Sequence, residues 1–226
     1  TGLGAIGVGI AQAAYSDAVE YAGQRRQGGN AIGEYQAVQV LVAEMDTKLD
    51  AARHLVYESA ATIADEGGDT RKSSQAKYYA SDVAEFVTRN AMQVYGGKGY
   101  RKDYPLERHW RDSRITTIYE GTTQLQVTAA VAGVVSGTAG NLLEDLLAKP
   151  TRLDAWPDEL QPLLEQIRQG QALLAEAVAY VKAASGSTYR DLHARRLVDM
   201  ATYLLIAALF CEQATAKDAK KAVADY

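Results

Sequence analysis

The chain has 226 residues, 47% of them hydrophobic and 23% charged, with a formal net charge of −4. That length and apolar content suffice for the packed core of one large domain or one and a half, and the acidic balance argues against nucleic acid or an anionic membrane surface as the main partner. A single cysteine, Cys211, and three histidines exclude an intrachain disulfide framework and argue against a metal site, so the setting reads as a reducing, cytoplasmic one with Cys211 a buried thiol.

Gly4 to Arg26 is predicted to be a helix, with Ile6, Ile10, Ala13, Ala14 and Ala18 at helical spacing. Gln27 to Gly33 is a turn cluster. Glu34 to Glu66 carries the clearest apolar stripe: Val38, Leu41, Val42, Met45, Leu49, Ala52, Leu55, Val56, Ala60 and Ile63. Gly67-Gly68-Asp69 ends it. Lys72 to Tyr95 is a third helix, with Ala76, Tyr79, Val83, Phe86 and Val87 inward, stopped by the glycines of Gly96-Gly97-Lys98-Gly99. Pro105 can open a helical turn through Arg111, and Ile115 to Glu120 is a connector. Thr122 then caps a fourth long helix that runs to about Ser136.

Residues 138–156 hold a short helix rich in leucine (Leu142, Leu143, Leu146, Leu147) and a linker with Pro and Trp. Asp158 to Ala184 and Thr188 to Ala224 read as an antiparallel helix pair, with Thr188 and Asp191 as a capping box for the second. The apolar run from Met200 to Cys211 is too short to span a bilayer and reads as a core helix. Strand signals are nearly absent. The expected fold is all-α: a bundle of four core helices over residues 1–137 and a further helical unit over 138–226.

Three segments carry chemistry. Arg25-Arg26-Gln27-Gly28-Gly29 is either a basic helix end that complements the dipole or a clamp for a diphosphate. Gln93 to Tyr100 is either a helix cap and turn or a place where a cofactor approaches bare backbone. It follows a helix rather than a strand, so it is not a dinucleotide fingerprint of the Rossmann kind. The third segment is Glu120-Gly121-Thr122-Thr123-Gln124, with Ile118-Tyr119 before it. Were Glu120 buried there, desolvation would make it the stronger base that a weakly acidic C–H proton requires; otherwise it is a carboxylate at a helix start. His109 reads as a satisfied or solvated histidine among ion pairs, and His54 and His193 lack partners at metal-ligand spacing.

In their order and spacing these segments resemble the C-terminal half of an acyl-CoA dehydrogenase. The resemblance is carried by Ala13-Ala14-Tyr15 with Tyr21-Ala22, by Arg25-Arg26-Gln27, and by Glu34-Tyr35-Gln36-Ala37. It continues through Gln93-Val94-Tyr95-Gly96-Gly97-Lys98-Gly99-Tyr100, Tyr104-Pro105-Leu106-Glu107-Arg108, Arg111-Asp112-Ser113-Arg114-Ile115 and Ile118-Tyr119-Glu120-Gly121-Thr122. It implies an FAD-dependent enzyme that turns a saturated acyl-CoA into the trans-2-enoyl-CoA, with Glu120 as the base for the α-proton and flavin N5 as hydride acceptor. Carried over by position, Arg25, Gln27, Gln36, Gln93, Gly96 and Gly97 contact the ADP portion of FAD across a dimer, and Thr122 and Gln124 contact the FAD of their own subunit. The implied partners are acyl-CoA, an electron-transferring flavoprotein and a second copy of the chain, with no nucleic acid, no membrane span and no metal. The family's N-terminal helical and middle β domains are expected upstream of this chain. Residues 138–226 resemble the helical extension of larger members. The departures from the family pattern are Gly28 where Phe is usual, Asn30-Ala31 for Lys-Pro, and Val127 and Ala132 where Arg residues are common. An acyl-CoA oxidase, and a catalytically silent helical binding member or one associated with DNA repair, are the competing readings.

Overall fold

A computed structural model describes residues 1–148, 150, 155–184 and 187–224, with the backbone alone at 64–66 and 216–224. The chain forms two compact units, Thr1–Gln126 and Val127–Tyr226. The first is built on three long helices, α1 (Gly2–Gln24), α2 (Gln36–Glu66) and α3 (Thr70–Tyr95), followed by α4 (Leu106–Thr116). Helix α3 is the hub: α1, α2 and α4 all pack on it.

The buried face of α1 is not its large apolar one. Gly4, Gly7, Ala11, Ala14, Ala18 and Ala22 face inward, whereas Ile6 is half exposed. Small residues let two backbones approach closely. A methyl group on Gly7 would lie 3.0 Å from the Ala80 carbonyl oxygen, and one on Gly4 would lie 3.1 Å from that of Ala76. Helix α2 buries Met45, Leu49, Ala52, Leu55 and Val56 of the expected stripe, while Ile63 and Ala60 remain exposed. Helix α3 begins on Asp69, whose carboxylate accepts from the Arg71 and Lys72 amides at 2.7 and 3.3 Å. Such a cap satisfies amides that the helix itself cannot.

The turn cluster after α1 closes a two-residue hairpin, β1 (Arg26–Gln27) against β2 (Asn30–Ala31), with Gln27 opposite Asn30. Gly28 and Gly29 both have positive φ, 62° and 92°, the backbone of a type I′ turn. Helix α4 is longer than the single turn expected from Pro105. Leu106, Ser113 and Thr116 give it one buried face, and the Ser113 and Thr88 hydroxyls meet at 3.0 Å in the core. Helix α4 packs on α3, and α5 (Thr123–Val135), the fourth long helix expected from Thr122, follows it.

The second unit holds α6 (Thr138–Ala148), α7 (Gln161–Ala183) and α8 (Ser187–Ala224). Leu143, Leu147, Trp156, Leu164, Ile167, Ala208 and Cys211 form its core. The buried Trp156 ring donates its Nε1–H to the Leu147 carbonyl at 3.1 Å. Tyr180 meets Tyr189 near one end of the α7–α8 pair, and Gly170 lies against Leu204 further along, which makes the two helices antiparallel. Helix α8 starts at Ser187, so Thr188 lies in its first turn rather than at its cap, and Asp191 instead accepts from the Arg190 guanidinium. By length and composition alone Ser187–Thr215 is apolar enough to cross a membrane, but half of its most apolar window is buried within the protein, as a core helix would be. Burial pushes the Cys211 thiol above its ordinary range.

Candidate functional site

Two features of the first unit bring the expected residues together. The first is a cavity of about 980 Å³ between the end of α1, the hairpin, the start of α2 and the end of α3. Arg25, Gln27, Gln93, Gly96 and Gly97 line it, together with Lys98. Gln36, the first residue of α2, lies outside this lining. Arg25 ends α1 in extended conformation, its amide bonded to the Tyr21 carbonyl and its own carbonyl to the Ile32 amide, both at 2.8 Å. The backbone there is fixed while the residue itself is exposed. Lys98 lies over the rings of Tyr21 and Tyr104, 5.8 Å from each centroid. Tyr21 stacks on Tyr95 at 4.0 Å. Burial, with Asp17 and Glu20 adding to it, pushes the Tyr95 phenol above its ordinary range, so it stays protonated and donates to the Asp17 carbonyl.

The cavity is within the size range of cofactor sites. It offers three cations, Arg25, Lys98 and Arg101, the last paired with Asp103, together with amide side chains and, at Gly96 and Gly97, backbone with open space where a side chain would stand. That donor set suits the phosphates and polar ring edges of a dinucleotide. The hairpin also accounts for two departures from the family pattern. A side chain at 28 would need positive φ and would meet the Tyr35 hydroxyl at 2.9 Å; that hydroxyl donates to the Gln27 carbonyl at 2.6 Å. The amide of Ala31, which a proline would lack, donates to Glu34 at 3.3 Å.

The second feature is the turn between α4 and α5. Glu120 has φ of 52°, the one positive value at a non-glycine among the described residues, and Gly121 follows with 89°. A non-glycine residue held there costs about 1–3 kcal/mol and persists only where its surroundings impose it. They do so here. Gln126 Nε2 donates to the Glu120 carbonyl at 3.1 Å, Lys77 Nζ donates to the Gly121 carbonyl, and the Thr123 amide donates to the Thr117 carbonyl at 3.1 Å. Thr122 caps α5 as expected, accepting from the Leu125 amide at 3.3 Å. Glu120 itself is exposed. The burial on which the first reading of Glu120 depended is not met within this chain. Thr122 and Gln124 are exposed beside it, and none of the three lines the cavity.

Lys77 and Gln126 were not foreseen as site residues. A lysine inside a helical run reads as a solvated face, and nothing local to residue 77 points to a turn 44 residues on. His109 sits 3.7 Å from Asp17, an ion-pair position rather than a site.

The family profile described as acyl-CoA dehydrogenase, C-terminal domain, matches residues 1–135, and a second, acyl-CoA dehydrogenase C terminal, matches residues 136–224. The chain belongs to the acyl-CoA dehydrogenase family. Among its relatives is the caffeyl-CoA reductase-Etf complex subunit CarC of Acetobacterium woodii, 42% identical over 55% of this chain and 33% of the relative. The butyryl-CoA dehydrogenase structure of Megasphaera elsdenii is 43% identical over 59% of this chain and 35% of that one, with a TM-score of 0.58. Caenorhabditis elegans ACDH-11, solved with C11-CoA, is similar in fold over 94% of this chain and 38% of its own, with a TM-score of 0.79 at 21% identity. The chain spans about a third of the length of the curated relatives that it matches. As an acyl-CoA dehydrogenase C-terminal region, it carries both features described above within the span of the first profile.

Proposed function

We propose that this chain is the C-terminal part of an FAD-dependent acyl-CoA dehydrogenase that forms trans-2-enoyl-CoA, with Glu120 as the base. The observation that carries this reading is the Glu120–Gly121 turn, a strained backbone held by three separate hydrogen bonds at the motif on which the resemblance rests. Glu120 takes the α-proton on its carboxylate, and its backbone N–H polarises the thioester oxygen that acidifies the α-carbon. FAD, when bound, supplies the two-electron acceptor that takes the β-hydrogen as hydride at N5. Arg25, Gln27, Gln93, Gly96 and Gly97, with Gln36 beside them, would hold its ADP portion, and Thr122 and Gln124 its other end. A homodimer in which the cofactor is shared between two copies of the chain belongs to the same reading, by resemblance to the family. An acceptor of the electron-transferring flavoprotein class is favoured over oxygen by the Etf complex to which the Acetobacterium woodii relative belongs.

The test is Glu120→Gln in the full-length protein, assayed with acyl-CoA and an electron-transferring flavoprotein. Turnover should fall by about 10²- to 10⁴-fold with flavin content retained. Undiminished turnover would show that another group is the base. In the same assay, rapid reoxidation of the wild-type flavin by oxygen with substrate present would favour an oxidase instead.

A further inference from the structure

Lys77 is 4% exposed in the N-terminal third of α3, and its ammonium donates to the carbonyl of Gly121, the residue after Glu120. Its place is electrostatically costly. Burial depresses the pKa of its ammonium, against which the charges of Asp82 and Glu120 act. It also stands close to the first turn of α5, the positive end of that helix, where a cation is disfavoured. A lysine that served packing alone would be better replaced there by methionine or leucine. What the position does provide is one N–H donor aimed at the turn. Asp82 completes the arrangement, accepting from the Thr123 hydroxyl at 3.4 Å.

Two adjacent carbonyls are thus held from two directions: Glu120 by Gln126 of α5, and Gly121 by Lys77 of α3. A methyl group on Gly121 would come within 2.6 Å of the Gln126 amide nitrogen, so the clamp closes tightly on the glycine. We propose that Lys77 is a positioning residue that fixes the left-handed Glu120–Gly121 turn and thereby sets the direction of the Glu120 carboxylate. The catalytic part of this proposal rests on the reading of Glu120 as the base.

The experiment compares Lys77→Met, which keeps the stem and removes the donor, with Lys77→Arg, which keeps both charge and donors. Both are made in the full-length protein. Displacement of a reacting group by an ångström can cost about a hundredfold in rate. Lys77→Met should accordingly lower kcat by at least about tenfold, with KM within about twofold and flavin content unchanged, and Lys77→Arg should recover part of the loss. Hydrogen exchange over residues 117–126 should quicken in Lys77→Met and remain slow in α2. Wild-type kcat, unchanged exchange, or loss of flavin in step with activity would each overturn the proposal. If Lys77→Met does not fold, Gln126→Leu removes the other bond of the clamp and is read in the same way. Unchanged exchange beside an inactive Glu120→Gln removes Lys77 alone. Faster exchange beside an active Glu120→Gln removes the base reading, and with it the catalytic part.

Discussion

The helices up to residue 126 and those beyond residue 137 solve the packing problem differently. In the first region α1 meets α3 through glycine and alanine, and polar groups are buried in number: Arg71, Gln75, Lys77, Thr88 and Ser113 among them. In the second, leucine, isoleucine and tryptophan fill a core around α7 and α8, and the Trp156 N–H has its acceptor. Close backbone approach and buried polar groups both make a structure less tolerant of change, and they cluster where the turn and the cavity are built. Among the described residues the second region buries fewer polar side chains, Thr202 and Thr215, and has one such close approach, Gly170 against Leu204. The difference teaches where precision is concentrated in this chain.

The comparison can be broken by substitution. Leu164 is fully buried in the second core, so Leu164→Ala should cost about 2–5 kcal/mol in a denaturant titration. A cost below about 1 kcal/mol would mean that this core is loosely packed. Gly7→Val adds bulk against the Ala80 carbonyl and should cost about 1–3 kcal/mol. Neutral behaviour would show that α1 and α3 can slide apart, against the reading of a precise first region. The smallest effect concerns Asp69. Burial raises its carboxyl pKa, but the Arg71 charge and the bonds from Arg71 and Lys72 outweigh that and leave it below the ordinary 3.8. Asp69→Ala should cost about 1 kcal/mol at neutral pH. Because the folded-state pKa is depressed, the contribution is fully present above 3.8 and is lost as pH falls through the lower folded value. The wild type and Asp69→Ala should therefore converge in acid, and a difference independent of pH would discount the cap.

The long helices were legible because α2 and α3 carry stripes of large apolar residues with glycine stops. The face of α1 was not, because periodicity weighs Ile6 above Gly7, whereas close packing selects the smaller residue. The length of α4 escaped notice because its buried face includes Ser113 and Thr116, polar residues whose hydroxyls are satisfied inside the protein. At the candidate site, Arg25, Gln27, Gln93, Gly96 and Gly97 were legible as turns and by resemblance, and they do share one cavity. The exposure of Glu120 and the clamp from Lys77 depend on chain folding back from far along the sequence, which no local pattern encodes.

The two tryptophans fall one on each side of this division. Trp110 on α4 is 44% exposed, and Trp156 is 8% exposed in the Leu147 core. An indole in water emits at longer wavelength than one in an apolar core. The protein thus carries its own two-colour reporter: the red side of the emission reports on Trp110, and the blue side on Trp156. Following both bands as denaturant is added would time the loss of order in each region without any label.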